Sequence, residues 1–292
     1  MNHVKSVYIA DDDQEDRLLI RESLENINRE INITEIENGV ELLDQLNNTD
    51  QENPALIILD MNMPRMSGLE TLNKIRSSAS LQNVPVIMVS TSSDQLLINL
   101  AYDEGISAYI TKPVNIHQYK LMAEAIHVCY LNSRPTLVHY SGSGNFKNKS
   151  VLIIEDNADH WDLMNYWLSK STPELKITRV NGKASALNYL TNEYLAMSPS
   201  IGLILLDLYL PNRKDGLSLL NSIRYFFLYH NLPLVPIVIF SSSGDQQDIQ
   251  ASYQNYASAY IIKSPDLNQS FSYLKDLCYF WWNIITVQNK EH

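Results

Sequence analysis

Four apolar residues closed by a single aspartate occur twice in this chain, as Leu56-Ile57-Ile58-Leu59-Asp60 and as Leu203-Ile204-Leu205-Leu206-Asp207. A run this short does not make a helix of ordinary length, but it suits a strand buried on both faces of a parallel sheet. Pro64 and Gly68 follow the first run and Pro211 and Gly216 the second, so the chain turns soon after each aspartate. Each copy therefore delivers one carboxylate from the end of a buried strand into a loop. A carboxylate presented that way is a candidate nucleophile or metal ligand.

The flanking segments alternate. Ser6–Ala10 reads as a strand, and helical spacing begins with Leu19, Ile20, Leu24 and Ile27. Further strands are expected at about 33–36, 56–59, 86–90 and 108–110, with helix-patterned segments at 39–47, 68–77, 94–102 and 115–131. Strand–helix alternation with right-handed crossovers implies an α/β fold, a parallel sheet covered on both faces, with ligand-binding residues at the carboxyl ends of the strands. Residues 133–149 break the pattern with Pro135, Gly142, Gly144 and serines, and read as a linker. Val151–Ile154 then opens a second copy, giving domains 1–132 and 150–292, as expected for 292 residues at roughly 150 per domain. The last helical pattern, from about Asp266 to Gln288, carries two apolar seams: Leu267, Phe271, Leu274, Cys278, Trp281 and Ile285, and beside it Tyr273, Leu277, Phe280, Ile284 and Val287. One sheet-covering helix needs one such stripe, so the second is expected to serve a homodimer or a docked partner, or to be covered by the linker or first domain. No residues remain for a separate output domain.

Composition excludes several classes. Residues 1–132 carry nine Lys/Arg against 20 Asp/Glu, and residues 150–292 carry ten against 13, so a phosphate backbone is repelled and no nucleic-acid partner is expected. No run approaches the ~18–20 apolar residues of a membrane span, and no signal peptide precedes Asp11. Cys129 and Cys278 sit singly in helical patterns, which fits a reducing, cytoplasmic setting.

Asp11, Asp12, Asp60, Ser90 and Lys112 all fall at strand ends of the first copy. Three converging carboxylates repel one another unless a divalent cation sits among them, and hard oxygen donors suit Mg²⁺. A hydroxyl and an ammonium on neighbouring strands complete a set suited to phosphoryl transfer to a carboxylate. Asp11–Asp13 and Glu155-Asp156 also fit helix starts, Ser92 and Ser93 read as N-caps, and His160 reads as a solvated helix residue.

An acidic pair, Asp60-x-x-Met63-Pro64-x-x-x-Gly68, Ser90, Tyr109 and Lys112-Pro113, in this order, resembles the receiver domain of two-component response regulators, and both halves carry it. The resemblance implies two flavodoxin-like (βα)5 domains with strand order 2-1-3-4-5. It implies that Asp60 accepts a phosphoryl group from phosphohistidine on a histidine kinase or a histidine phosphotransfer protein. Asp12, Asp60 and the Asn62 carbonyl would bind Mg²⁺ with Asp11 helping, Ser90 and Tyr109 would be the switch pair, and Lys112 would contact the phosphoryl group. Glu155, Asp156, Asp207, the Tyr209 carbonyl, Ser241, Tyr260 and Lys263 are the matching positions, and Ser90–Lys112 and Ser241–Lys263 are both 22 residues apart. The second copy, with its Asp-Leu-Tyr-Leu-Pro and Trp-bearing last helix, also resembles stand-alone receivers that partner phytochrome-type kinases.

The copies differ in three places. Gly216 lies nine residues after Asp207, where Gly68 lies eight after Asp60; Tyr209 stands where Asn62 does; and Ser264, not proline, follows Lys263. Lys263 is therefore expected to approach its acceptor differently, and Asp207 to be the poorer phosphoacceptor. Two other classes compete: a scaffold that no longer takes phosphate, and an aspartyl-phosphate hydrolase of the haloacid-dehalogenase type. The latter needs an acid two residues past the nucleophile, where this chain has Asn62 or Tyr209.

Overall fold

A computed structural model describes residues 4–48, 53–131, 146–196, 201–263, 266 and 274–287. They form two compact units, the first holding the residues up to 131 together with 284–287 and the second holding 146–283. The expected linker through residue 145, and the expectations at Ser264, Leu267, Phe271, Tyr273 and Gln288, lie outside the described residues. Among the described residues no helix is long and apolar enough to cross a membrane.

The first unit runs β1 (Lys5–Ala10), α1 (Gln14–Glu25), β2 (Ile31–Ile36), α2 (Gly39–Asn48), β3 (Leu56–Leu59), α3 (Gly68–Ser77), β4 (Val86–Ser90), α4 (Gln95–Asp103), β5 (Ala108–Thr111) and α5 (Ile116–Cys129). Its parallel sheet has the order β2-β1-β3-β4-β5. The second unit repeats it as β6 (Ser150–Ile154), α6 (Ala158–Ser171), β7 (Lys176–Val180), α7 (Lys183–Asn192), β8 (Leu203–Leu206), α8 (Arg213–Tyr229), β9 (Ile237–Ser241), α9 (Gln246–Gln254), β10 (Ala259–Ile262) and α10 (Leu274–Asn283), with sheet order β7-β6-β8-β9-β10. Every residue of β3 and β8 is buried, because a parallel strand covered by helices on both faces has no solvent side.

Strand register fixes where the acids fall. Ala10 pairs with Leu59 and Ile154 with Leu206, so the residues after these strands emerge side by side. The ladder then runs one step further, Asp60 N–H donating to the Ala10 carbonyl at 2.8 Å and Asp207 N–H to the Ile154 carbonyl at 3.0 Å. Lys112 and Lys263 are anchored the same way on the carbonyls of Ser90 and Ser241, at 2.8 and 2.7 Å.

The ends of elements hold several departures from the sequence reading. Asp94, not Ser92 or Ser93, caps α4, accepting from Leu96 N–H at 2.9 Å. Phe146, at the end of the expected linker, is buried and meets Trp282 edge-on at 6.0 Å, so the second unit begins before residue 150. The last helix stops at Asn283 and does not reach Gln288. Ile285 pairs antiparallel with Ile110, and Thr286 N–H donates to the Tyr109 carbonyl at 2.8 Å, so a backbone partner for β5 replaces the final helical turn. Leu277 and Phe280 of the second seam are buried alongside Leu274, Cys278 and Trp281. Of the other second-seam residues, Ile284 is half-buried and Val287 is exposed.

Helix α5 packs on α1 with a fully buried His127, whose Nε2 lies 2.9 Å from the Leu24 carbonyl; since the carbonyl accepts, Nε2–H donates. Burial pushes this imidazole below its ordinary pKa against the hydrogen bond to Leu24, with Lys5 adding to the depression. The unfolded chain thus binds a proton more readily than the folded one. The resulting stability is fully present above the unfolded value of roughly 6.5 and is lost as pH falls toward the folded value. All four tryptophans (Trp161, Trp167, Trp281, Trp282) lie in the second unit, so the part of denaturant unfolding that is silent in tryptophan emission but seen by circular dichroism reports the first. Between pH 7.5 and 5.5 that transition should move to lower denaturant more in wild type than in His127→Gln, which keeps a donor and removes the titration. Equal movement in both proteins would show that His127 is not the acid-sensitive group.

Candidate functional site

In the first unit the carboxylates of Asp11, Asp12 and Asp60 offer oxygens within 4.8 Å of one another at the carboxyl end of the sheet. Asp11 and Asp60 are buried while Asp12 is exposed, so the group opens to solvent on one side. Asp13, the next residue, belongs to the helix and not to the site: it caps α1, accepting from Glu15 N–H at 2.8 Å. The loop holds Asp60 as well, for Asn62 N–H donates to Asp60 Oδ2 at 2.8 Å. Lys112 enters between the acids, with Nζ 2.7 Å from Asp11 Oδ2, 2.7 Å from Asp16 Oδ2 and 3.5 Å from Asp60 Oδ1. Tyr119 O–H donates to the other oxygen of Asp16 at 3.0 Å. Burial pushes the Asp11 carboxyl up to about 6, Lys112 opposing and Asp60 adding. Burial also works against the charge of Lys112, but hydrogen bonds to Asp11 and Asp16 outweigh it and hold the ammonium above its ordinary pKa. Crowded, partly desolvated carboxylates with hard oxygens fit a divalent cation.

The hydroxyl and the aromatic ring follow the same plan in both copies. Ser90 and Ser241 are fully buried at the ends of β4 and β9, and each hydroxyl oxygen accepts from the N–H two residues on, at 3.4 and 3.3 Å. Tyr109 and Tyr260 are fully buried too, donating to the carbonyls of Ser92 and Ser243 at 2.8 and 2.9 Å. Burial raises both phenols, Tyr260 to about 12, so both stay neutral donors in the physiological range.

The second site assembles a different set. Here the close group is Glu155, His160 and Asp207, with ligating atoms within 4.8 Å; Asp156 is exposed and is not among them. Lys263 Nζ lies 2.8 Å from Glu155 Oε2, 2.9 Å from Asp207 Oδ2 and 3.2 Å from His160 Nδ1. Its side chain is 1% exposed against 10% for Lys112, so the lysine expected to approach differently is the more deeply set and lies nearer its strand-end aspartate. His160, read from the sequence as solvated, is mostly buried, with Nδ1 also 3.5 Å from Glu155 Oε1. Burial pushes Glu155 above the usual carboxylate range, Lys263 opposing.

Tyr209 does not hang over Asp207. Its phenol donates to Asp248 Oδ2 at 2.9 Å, and Asp248 is also bound by Ser243 and Arg213, a three-donor cluster at the start of α9 that no local pattern announced. Helix α8, which Asn212 caps, begins six residues after Asp207, where α3 begins eight after Asp60, so Gly216 lies inside the first turn of its helix and Gly68 opens its own. A Cβ on Gly68 would fall 2.2 Å from the Asp60 carbonyl oxygen, and one on Gly216 1.8 Å from that of Leu208. Both glycines thus let a helix press against the chain leaving the buried strand, at Asp60 itself in the first copy and one residue past Asp207 in the second.

Comparison with known proteins places both halves. A family model for the response regulator receiver domain matches residues 7–124 and 151–275. A chemotaxis protein CheY homolog of Campylobacter jejuni is 34% identical over 105 residues, spanning 36% of this chain and 78% of that protein. Response regulator Rcp1 of Synechocystis is 33% identical over 141 residues, 48% of this chain and 92% of its own length. Among solved structures, the phosphorylated cyanobacterial phytochrome response regulator RcpA is 28% identical with a TM-score of 0.43, covering 46% of this chain and all of that one.

Proposed function

Because the chain belongs to the response regulator receiver family, which its two halves match in turn, we propose that it is a phosphoacceptor of two-component signalling that takes phosphoryl groups from phosphohistidine, chiefly on Asp60, and acts through protein contacts. The donor would be a histidine kinase or a histidine phosphotransfer protein. The observation that supports this best is the convergence of Asp11, Asp12 and Asp60 with Lys112 Nζ 3.5 Å from the acceptor oxygen.

In this reading an Asp60 oxygen attacks phosphorus, the O–P bond forms, and the N–P bond of the phosphohistidine breaks with its electron pair going to the imidazole. Asn62 N–H fixes Asp60 Oδ2 and so orients the other oxygen toward Lys112. Lys112 then meets the transferred oxygens, and the Ser90 hydroxyl turns from the Ser92 N–H to one of them, with Tyr109 as its switch partner. Asp11, Asp12 and Asp60, with the Asn62 carbonyl, would hold Mg²⁺, which offsets the negative charge shared by acids and phosphoryl group. Neither Asn62 nor Tyr209 supplies the second acid that a hydrolase of the alternative class needs.

The test is labelling of the full chain with acetyl phosphate in Mg²⁺ and in EDTA, followed by peptide mapping. Label that requires Mg²⁺, is released by hydroxylamine and maps to the Asp60 peptide is the expected result. Label that forms equally in EDTA, or resists hydroxylamine, would overturn the reading.

A further inference from the structure

Asp16 and His160 occupy one place in the two copies. Each lies five residues after the first buried acid of its site, Asp11 or Glu155, and each is the third residue of its helix, where its own N–H is bound by the cap, Asp13 or Asn157, at 3.3 and 3.1 Å. From that position the side chain faces the site lysine. In the first copy it is a carboxylate, which takes Lys112 at 2.7 Å and is steadied by the Tyr119 hydroxyl, leaving the ammonium 3.5 Å from Asp60. In the second copy it is an imidazole, whose Nδ1 lies 3.2 Å from Lys263 Nζ, and the ammonium sits on Glu155 and Asp207 at 2.8 and 2.9 Å.

The charge balance changes with it. Lys112 contacts three carboxylates, Asp11, Asp16 and Asp60, and Lys263 contacts two, Glu155 and Asp207; exposed Asp12 joins the first group of acids, whereas exposed Asp156 does not join the second. The first lysine leaves two of its three carboxylates uncompensated, an excess of hard, negative oxygen that suits a divalent cation, whereas the second leaves only one of two, and its third donor is an imidazole, which Mg²⁺ accepts poorly.

We propose that the residue five places after the first acid is a positioning residue that chooses the counter-ion of each acceptor: Asp16 holds Lys112 aside so that the first site takes a divalent cation, and His160 leaves Lys263 on Asp207 so that the second site binds Mg²⁺ weakly. This rests on the reading of the carboxylates as a cation site. It makes the two acceptors unequal for a reason other than Tyr209 or the longer loop.

The experiment is calorimetric titration of the full chain with Mg²⁺. Wild type should show one site that Asp60→Asn removes, and a second weaker by at least about tenfold, a difference of roughly 1.4 kcal/mol. In the Asp60→Asn background, His160→Asp should tighten the remaining site by about tenfold or more, by drawing Lys263 off Asp207. In the wild-type background, Asp16→Asn should weaken the first site, by letting Lys112 settle on Asp60. Lys263→Met, which adds no charge to the second site, should also tighten Mg²⁺ there, an effect that an added carboxylate alone does not explain. Two equal sites in wild type, or a second site indifferent to both His160→Asp and Lys263→Met, would overturn the proposal while leaving the cation reading of the first site intact. Absence of any Mg²⁺ heat that Asp60→Asn removes would defeat the underlying reading and the proposal together.

Discussion

Asp60→Asn should lose phosphoryl label at the first site by on the order of 10³-fold or more, as removal of a nucleophile does in enzymes that use one, while the fold is kept. An amide oxygen is not a competent nucleophile, but it accepts the Asn62 N–H as the carboxylate does, so the loop has no reason to move. The substitution also removes the Asp60 charge, which adds to the burial that holds the Asp11 carboxyl up near 6, and Lys112 keeps its two closest partners, Asp11 and Asp16. The variant should therefore unfold at no lower denaturant than wild type at neutral pH. Label remaining on the chain should map to Asp207, and its formation rate and lifetime should differ from those at Asp60, since Lys263 already occupies that acceptor at 2.9 Å. An Asp60→Asn protein that labels like wild type, beside an Asp207→Asn protein that does not, would reverse the assignment of the main acceptor.

What could be read from sequence was whatever local pattern and repetition determine. Leu56–Leu59 and Leu203–Leu206 announce buried parallel strands because such strands have no polar face, and the acid that ends each one is set by the strand register, not by distant contacts. The equal spacing of Ser90 to Lys112 and Ser241 to Lys263 carried over into matching bonds at Tyr109 and Tyr260, which differ by 0.1 Å. The sheet order followed from the receiver resemblance and holds in both units.

What could not be read depends on partners far along the chain. An acid at the third residue of a helix is ordinary, so Asp16 carried no signal; its role comes from Lys112, 96 residues on. His160 is the same case at a separation of 103 residues, and only the shared five-residue offset from Asp11 and Glu155 could have marked the pair. Ile284, Ile285 and Val287 continue a helical period with no proline or glycine to stop it, yet the helix ends because the Ile110 and Tyr109 backbone accepts a strand there. Tyr209 was legible as bulky, but its direction depends on Asp248, 39 residues away.

Lys263→Met should destabilise the second unit by about 3–5 kcal/mol in EDTA, the usual result of removing one partner of a buried ion pair. Glu155 and Asp207 would be left 2% and 11% exposed without their ammonium, with His160 as the remaining neighbour in that cluster. The equivalent Lys112→Met change should cost less, because the acids it leaves include exposed Asp12 and an Asp16 that is 24% exposed and keeps the Tyr119 hydrogen bond. Tryptophan emission isolates the effect, since every tryptophan lies in the second unit, and the midpoint of that transition in denaturant is the quantity to follow. Millimolar Mg²⁺ should recover part of the loss in Lys263→Met, since the cation binds the folded state and takes the place of the ammonium between the two carboxylates. Lower pH should recover part of it in EDTA as well, because Glu155, already raised by burial, protonates more readily once Lys263 no longer opposes that. A Lys263→Met protein whose tryptophan transition matches wild type in EDTA would mean that the lysine does not hold these acids in solution.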